Sequence, residues 1–180
     1  MQYFLGIVPS EEHKLKIDEF RQNWQTNSIS DIVEPHITLK AQGGLTPDKS
    51  WLCKVEHVCF NFNPFQIALN KPMFFGDDIL YLSAKSDDLY TLHNRIVKEV
   101  SPPEALIKKY FELDDFVPHM TLGKTAYGLT KQELKDMAVA AEKELNPYPI
   151  LEVNFVRVYQ EYEVNRYKKL LDVPLGQANR

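Results

Sequence analysis

One short pattern occurs twice in this sequence, and the chain around it repeats in the same order. Pro35-His36-Ile37-Thr38-Leu39 returns as Pro118-His119-Met120-Thr121-Leu122, 83 residues further along. Two weaker matches follow at nearly the same spacing: Gly44-Leu45-Thr46 with Gly128-Leu129-Thr130, and Asn63-Pro64-Phe65 with Asn146-Pro147-Tyr148. Matches in a fixed order indicate a duplicated unit, which limits the chain to folds built from two similar halves.

The segments before the two histidines also match. Residues 3–12 align with residues 79–88 at an offset of 76, and both are apolar runs that end in a serine followed by two acids. Ser10 and Ser86 therefore predict helix N-caps, because the hydroxyl accepts from a free backbone N–H and the acids suit the helix dipole. The offset grows from 76 in these segments to 83 at the histidines, so the second repeat has seven extra residues in between. We expect them within residues 101–117, where they would form a lid or a loop at the edge of the groove.

Each half is predicted to contain a strand, a helix, the histidine strand, a second helix and a further strand. Helices are expected from Glu11 to about Trp24, from Thr46 with Pro47 at its first position, over 89–100, and from Thr130, which forms a capping box with Glu133. Two hairpins are expected, with strands at 65–69 and 79–84, and at 150–159 and 166–173.

These elements predict an α+β fold with a bilobal, pseudo-twofold duplication. Each lobe is expected to be a mainly antiparallel sheet with helices on its outer face, and the active groove is expected to lie between the lobes. Residues 1–180 would form one domain, with lobes from repeats at about 2–70 and 79–158 and a C-terminal hairpin strand at 166–173.

Composition narrows the classes of protein that fit. Hydrophobic residues make up 44% of the chain and charged residues 26%, the ordinary globular mixture, which excludes wholesale disorder. The net charge of −4 argues against a protein that binds duplex DNA by neutralising phosphates. A locally basic groove can still bind a small nucleotide or one RNA end. Apolar runs are too short for a membrane span and no basic leader is present, so we predict no membrane partner and a cytoplasmic location.

The cysteines do not indicate a metal site or a redox site. Cys53 and Cys59 lack the CxxC spacing, and we expect both to be reduced. His57 lies between them, but positions i, i+4 and i+6 do not share one helical face, so no metal is assigned to this segment.

The two His-x-Thr segments carry the chemistry. Side chains alternate between the faces of a strand, so His36 and Thr38 share one face while their apolar neighbours share the other. The same alternation pairs His119 with Thr121. If the apolar faces pack beneath helices, two imidazoles and two hydroxyls converge on one groove.

Two imidazoles suit a reaction that removes a proton at one end and delivers one at the other. A pKa near 6.5 allows one ring to be neutral and the other protonated, and threonine hydroxyls donate to phosphate oxygens. Opening of a cyclic phosphodiester by water, or its reverse with a hydroxyl, has this geometry. His13, His57 and His93 lie in predicted helices without a repeated partner and are interpreted as structural or surface residues.

His36-Ile37-Thr38-Leu39 and His119-Met120-Thr121-Leu122 resemble the paired signatures of the 2H phosphoesterase superfamily. This superfamily includes 2′-5′ RNA ligase-like proteins and cyclic phosphodiesterases, and the short chain is most similar to its small bacterial YjcG-type branch. The resemblance implies that His36 and His119 are the general base and general acid, in an order left open. It implies that Thr38 and Thr121 bind the phosphate. It also implies that neither a metal nor a cofactor is needed.

Four further residues are candidates for the rim of the groove. Lys40 shares the predicted face of His36 and Thr38, where it would reach a phosphate or end in solvent. Tyr81, Arg157 and Tyr159 lie on strands that could line the groove, where an aromatic ring could stack on a base, although the pattern favours core or surface packing for each of them.

The expected function is a metal-independent phosphodiesterase or RNA ligase-like enzyme acting on the 2′,3′-cyclic phosphate of a nucleotide or RNA end. The alternative is a module that binds a nucleotide or RNA end in the same groove without turnover. A purely structural interaction domain would leave the doubled polar register unexplained. The physiological substrate, the regiochemistry of opening, the balance of hydrolysis and ligation, and the oligomeric state remain open from sequence.

Overall fold

The computed structural model describes residues 1–176 and contains one continuous antiparallel sheet of eight strands. The last four residues of the predicted domain lie outside the described range. The strands are β1 (Tyr3–Ile7), β2 (Ile37–Lys40), β3 (Phe65–Phe75), β4 (Ile79–Lys85), β5 (His119–Lys124), β6 (Ile150–Val153), β7 (Phe155–Glu163) and β8 (Arg166–Pro174). Their spatial order is β6-β3-β4-β5-β2-β1-β7-β8, so the two histidine segments meet at the middle of the sheet.

Five α-helices accompany the sheet: α1 (Glu11–Gln22), α2 (Leu52–Phe60), α3 (Asp87–Val100), α4 (Glu104–Lys109) and α5 (Lys131–Glu144). Three begin where the sequence predicts. The hydroxyl oxygens of Ser10 and Ser86 accept the backbone N–H groups of His13 and Leu89, and Thr130 and Glu133 form a complete capping box. Among residues 1–176, no helix combines the length and apolar character that crossing a membrane requires.

The predicted start of the second helix at Thr46 is wrong, because α2 begins only at Leu52. The Asp48 carboxylate accepts from the Thr46 hydroxyl and from the backbone N–H of Ser50 at 3.3 Å. The Trp51 indole N–H donates to the Thr46 carbonyl oxygen at 2.9 Å. These local bonds give the backbone an alternative to the helix and hold residues 46–51 as turns.

The core lies between one face of the sheet and the helices. Ile37 and Leu39 of β2 and Met120 and Leu122 of β5 are fully buried in one large apolar cluster. Burial of each such side chain contributes about 1.5–3 kcal/mol, so the apolar halves of the two repeated segments hold the centre of the sheet in place. The predicted alternation of faces therefore applies to the His-x-Thr segments themselves.

The two halves of the sheet do not correspond to the two halves of the chain. β3, which follows the first histidine segment, pairs with β4 and β6, whereas β7 pairs with β1 and β8. The predicted lobes from residues 2–70 and 79–158 therefore exchange a strand. The predicted strand at 150–159 is also two strands, β6 and β7, separated only by Asn154 and paired at opposite sides of the curled sheet.

The same irregularity interrupts both repeated strand pairs. Gly6 lies opposite Thr38, but the preceding Leu5 lies opposite Lys40, so Leu39 is an extra residue on β2. On the other side, Tyr81 lies opposite Thr121 and Leu80 lies opposite Gly123, so Leu122 is the extra residue on β5. Both are β-bulges, which reverse the facing of every residue beyond them. Gly6 is opposite Thr38 just as Tyr81 is opposite Thr121, so Gly6 and Tyr81 are equivalent positions of the two repeats. Their offset is 75 residues, one less than the offset of 76 that the sequence predicts.

The segment at 101–117, which holds the extra residues of the second repeat, contains α4 and a short 3₁₀ helix at Leu113–Asp115, and buried polar groups fix it to the sheet. The Lys40 ammonium donates to the Glu112 carboxylate at 2.7 Å and to the Gly43 carbonyl at 2.6 Å. His93 of α3 bonds through Nδ1 to the Leu39 carbonyl and accepts the Leu113 N–H at Nε2, at 2.6 and 2.8 Å.

We expect acid to destabilise the protein through His93. Burial, together with the Lys40 ammonium, lowers the pKa of His93 to about 4. The unfolded chain takes up this proton near pH 6.5, so the free energy of unfolding falls as the pH drops from about 6.5 to about 4, by on the order of 3 kcal/mol. Urea unfolding of a His93→Gln variant should show a shallower decline over this range than the wild type.

The matched control is His57→Asn, which changes an exposed histidine on α2 and should keep the wild-type pH dependence. An unaltered pH slope in His93→Gln would contradict the assignment of a neutral, buried His93.

Candidate active site

The central strands β2 and β5 bring the two repeated segments side by side. Ile37 lies opposite Met120, and one step either way along these antiparallel strands places His36 beside Thr121 and Thr38 beside His119. Side chains directly opposite on one face have Cβ atoms about 4.5–5.5 Å apart. Each histidine is thus next to the threonine of the other segment, on the face of the sheet away from the core.

A cleft of about 510 Å³ lies over these four side chains. His36, Thr38, His119 and Thr121 all line it, so the structure brings together the four residues that the sequence singled out. Most of the other lining residues are neutral, but Arg21 and Lys124 also reach the cleft and give it a positive charge.

Both imidazoles are oriented in the same way. His36 Nδ1 is 2.8 Å from the carbonyl oxygen of Glu34, and His119 Nδ1 is 2.7 Å from the carbonyl oxygen of Val117. In each segment the acceptor lies two residues before the histidine, across a proline. Because a carbonyl oxygen only accepts, each Nδ1 carries the hydrogen, and Nε2 is the nitrogen left for chemistry. The Thr38 hydroxyl lies 3.2 Å from His36 Nε2 and donates to it.

Both imidazoles are neutral at pH 7 in the free protein. The pKa of His36 is lowered to about 4, chiefly by burial and also by the Arg21 guanidinium, against the raising effect of the Glu34 carbonyl. Burial also lowers the pKa of His119, with a further contribution from Lys124. The groove is therefore positive without help from its histidines, and an anion that enters it favours their protonated form.

Arg157 and Tyr159 do not line the groove as predicted but lie behind His36. The Arg157 guanidinium donates to Glu34 at 2.7 Å and to both oxygens of Asp172 at 2.7 and 3.0 Å. The Tyr159 hydroxyl donates to the same Glu34 oxygen at 2.9 Å. Since the Glu34 backbone carbonyl binds Nδ1 of His36, these residues support the segment that orients the imidazole.

Aromatic rings pack behind both histidines. The ring centroid of Tyr159 is 5.5 Å from that of His36, and the centroids of Phe75 and Tyr81 are 4.9 and 5.2 Å from that of His119. Tyr81 is buried, so it supports His119 instead of forming the predicted rim. Gly6 occupies the position that matches Tyr81, and a Cβ there would be only 2.9 Å from Tyr159 Cε2.

The prediction that Lys40 faces the groove is wrong. Its side chain is fully buried and bonds to Glu112 on the core side of the sheet. The bulge at Leu39 turns Lys40 onto the face of Leu5. The equivalent bulge at Leu122 has the opposite consequence for Lys124. A regular alternation would direct this side chain into the core, but after the bulge it lines the groove.

Arg21 is the site residue that the sequence did not reveal. It lies in the last turn of α1, is 1% exposed, and donates to the carbonyl oxygens of Val33 and Thr121. Its Nε is buried without a partner, and among residues 1–176 no carboxylate forms an ion pair with it. A buried cation without a counter-ion is costly, and a bound anion would reduce that cost.

Residues 9–160 match the family described as the 2'-5' RNA ligase superfamily. The chain belongs to the 2'-5' RNA ligase superfamily. This membership confirms the resemblance that the paired histidine segments indicate. Among curated proteins, the RNA 2',3'-cyclic phosphodiesterase of Methanocaldococcus jannaschii is 25% identical over 142 residues, which cover 76% of this chain and 78% of that protein.

Solved structures of similar fold cover the whole chain. Protein TT0787 of Thermus thermophilus superposes with a TM-score of 0.69 at 15% identity, covering 100% of both chains. Escherichia coli LigT complexed with 3'-AMP gives a TM-score of 0.61 at 17% identity, covering 98% of both. At these identities the likeness concerns the fold alone, and it confirms the predicted α+β class.

We expect removal of the Arg21 charge to raise the pKa of His36. In Arg21→Met the pKa should rise but stay below 6.5, because burial still disfavours the protonated ring. Arg21→Lys, which retains the charge, should preserve the wild-type value. NMR titration of the His36 ring protons measures both, and Arg95→Met, an exposed arginine on α3, is the control. No change in folded Arg21→Met would show that the guanidinium does not act on this imidazole.

Proposed function

We propose that this protein is a metal-independent phosphodiesterase or RNA ligase-like enzyme that acts on the 2′,3′-cyclic phosphate of a nucleotide or an RNA end, in the cytoplasm. The observation that carries the proposal is the matched pair of imidazoles. Each donates Nδ1–H to a backbone carbonyl two residues earlier and leaves Nε2 for proton transfer in one groove.

Membership of the 2'-5' RNA ligase superfamily supports the reaction class. The name of the Methanocaldococcus jannaschii relative supports a cyclic phosphate as the substrate, at 25% identity. The crystal structure of LigT with 3'-AMP supports a small nucleotide as a ligand of this fold.

Hydrolysis needs a base and an acid on opposite sides of the phosphorus. A neutral imidazole accepts a proton from water as its oxygen attacks phosphorus, the bond from phosphorus to one ribose oxygen breaks, and the second imidazole, protonated, donates to that oxygen. Ligation is the same ring opening with the hydroxyl of a second RNA end in place of water: that oxygen bonds to phosphorus, its proton goes to the neutral imidazole, and the ribose oxygen leaves with the proton of the second imidazole. Either histidine can start the reaction, depending on how the substrate lies in the groove.

The phosphate itself supplies the protonation state that this mechanism requires. Both imidazoles are neutral before binding, and a bound anion raises the pKa of each because an opposite charge favours the charged form. Thr121 donates to a non-bridging oxygen, and Thr38 does so once its hydroxyl turns from His36 Nε2 to the phosphate, while Lys124 and Arg21 contribute positive charge. This combination stabilises the charge that develops on phosphorus oxygens in the transition state.

Loss of either groove histidine should abolish most of the activity. We expect His36→Ala and His119→Ala each to lower turnover of a 2′,3′-cyclic nucleotide by about 10²–10⁴-fold, the usual size of one acid–base role. Release of 2′- or 3′-monophosphate measures the rate, and circular dichroism verifies folding. His57→Ala, on the surface of α2, is the control and should retain full activity.

Near-normal turnover by either groove variant would contradict the assignment. If the wild type releases no monophosphate but binds the nucleotide, and both variants bind it less tightly, the non-catalytic binding module is the correct reading of the groove.

Activity should also be indifferent to chelators. Among the described residues that line the groove, none is Asp, Glu or Cys, and the two cations there repel a metal ion. Catalytic zinc sites usually use three protein ligands, which two imidazoles alone do not provide. We therefore expect the same rate before and after EDTA treatment. A rate lost to EDTA and restored by zinc or manganese would instead indicate a two-histidine metal site.

A further inference from the structure

A second cleft lies beside the catalytic groove and is continuous with it. Its volume is about 580 Å³, within the usual range for small-molecule sites. Thr38, Ala41, His119 and Lys124 line both clefts, so a phosphate held between the histidines lies at their junction. A group attached to that phosphate on the His119 side extends into the second cleft.

The wall of this cleft is built by the segment at 101–117, which holds the seven residues that the second repeat has beyond the first. The segment contributes Tyr110, Phe111, Glu112, Phe116 and Val117 to the lining, and Phe75 faces them from β3. Phe116 stacks on the buried His93 with ring centroids 3.7 Å apart and an angle of 5° between the planes. The hydrogen bonds of Glu112 to Lys40 and of Leu113 to His93 fix the segment, so the wall exists before a ligand binds.

Phe111 ends α4 at the mouth of the cleft. Its φ is +53°, the left-handed conformation of the residue that follows many helices, and the backbone N–H groups of Phe111 and Glu112 close the helix on the carbonyl oxygens of Lys108 and Ile107. The end of the helix thus fixes the backbone of Phe111, while its side chain is 69% exposed and offers an aromatic face that the core does not use.

Glu112 supplies an unused hydrogen-bond acceptor. Its Oε1 accepts from the Lys40 ammonium at 2.7 Å and from the Ala41 backbone N–H at 3.1 Å, but its Oε2 is buried without a partner. A buried polar atom of this kind is rare in a folded protein and is satisfied by a ligand or a water. Asp115, also in the lining, adds a second carboxylate.

We propose that this second cleft binds the nucleobase of the nucleotide that carries the cyclic phosphate, with the base against Phe111 and an N–H group of the base donating to Glu112 Oε2. This inference rests on the proposed function, since it names the part of the substrate that the His119 side of the groove recognises. Aromatic side chains at the mouth suit a planar ring. Lys124 lies at the junction with the groove, Lys40 already pairs with Glu112, and among the described lining residues Asp115 is a free carboxylate, so the far part of the cleft suits a neutral base with N–H donors better than a further phosphate.

The first test compares two substrates that share a five-membered cyclic phosphate, of which only one carries a base. Phe111→Ala should raise the KM for adenosine 2′,3′-cyclic phosphate by about 10-fold, within the range for loss of one base–aromatic stack, and leave kcat unchanged. The same variant should treat glycerol 1,2-cyclic phosphate, which has no base, as the wild type does. Phe111→Trp should restore the nucleotide KM. Phe60→Ala is the matched control, because Phe60 is an exposed phenylalanine on α2 outside the cleft.

The second test examines Glu112 without disturbing its buried pair with Lys40. Purine riboside 2′,3′-cyclic phosphate lacks the exocyclic amino group of the adenosine compound, so it cannot donate to Oε2 from that position. We expect about 10-fold weaker kcat/KM for it in the wild type, the size of a hydrogen bond to a charged acceptor. In Phe111→Ala the two substrates should differ less, because the base is no longer held against the wall.

The outcomes separate this inference from the proposed function. An equal loss on both substrates in Phe111→Ala, or no loss on the nucleotide, would overturn the base site while leaving the phosphodiesterase intact. If the wild type turns over neither substrate, the proposed function fails. Calorimetry with 3′-AMP then tests the base site: weaker binding by Phe111→Ala supports it, and unchanged binding rejects it.

Discussion

The antiparallel pairing of β2 with β5 is the constraint on which the site depends. It places Ile37 opposite Met120 at the centre of an eight-stranded sheet, and both residues are fully buried. The histidines and threonines alternate with these buried residues along the two strands, so their side chains lie on the opposite, open face of the sheet. The spacing of the two His-x-Thr pairs is set by neighbouring strands, about 4.8 Å apart, and not by the movement of flexible loops. A groove made in this way is ready for an anion before any ligand arrives.

The sequence alone predicts this central part of the molecule because the period of a strand is two residues. The spacing of His36 from Thr38, with apolar residues between and after them, leaves one assignment of faces, and the second copy at His119 and Thr121 repeats it. The N-caps at Ser10 and Ser86 and the capping box at Thr130 are predictable for a similar reason, since each depends on side chains within three residues. Local rules sufficed where the interactions are local.

The parts that the sequence did not predict depend on partners distant along the chain. The bulges at Leu39 and Leu122 send Lys40 into the core and bring Lys124 to the groove, and only the pairing with β1 and β4 reveals them. Gly123 within an apolar strand was the available signal, because glycine at such a position often marks a bulge. Arg21 gave no signal at all, since a basic residue near the end of a helix is ordinary. The supporting roles of Arg157 and Tyr159 required knowledge that both reach Glu34.

The exchange of β3 and β7 has a consequence for how such a molecule could arise. Met73 of β3 lies opposite Tyr81, and Arg157 of β7 lies opposite Gly6. Since Tyr81 and Gly6 occupy matching positions in the two repeats, β3 and β7 also match. Each repeat therefore pairs with a strand that belongs to the other repeat. A single unit that kept this strand pairing would need a second identical molecule, because each would place its last strand in the sheet of the other. Once both units belong to one chain, the residues around the two histidines can change independently of each other. Gly6 and Tyr159 then lie behind His36 while Tyr81 and Phe75 lie behind His119, so two matching histidines have unlike surroundings.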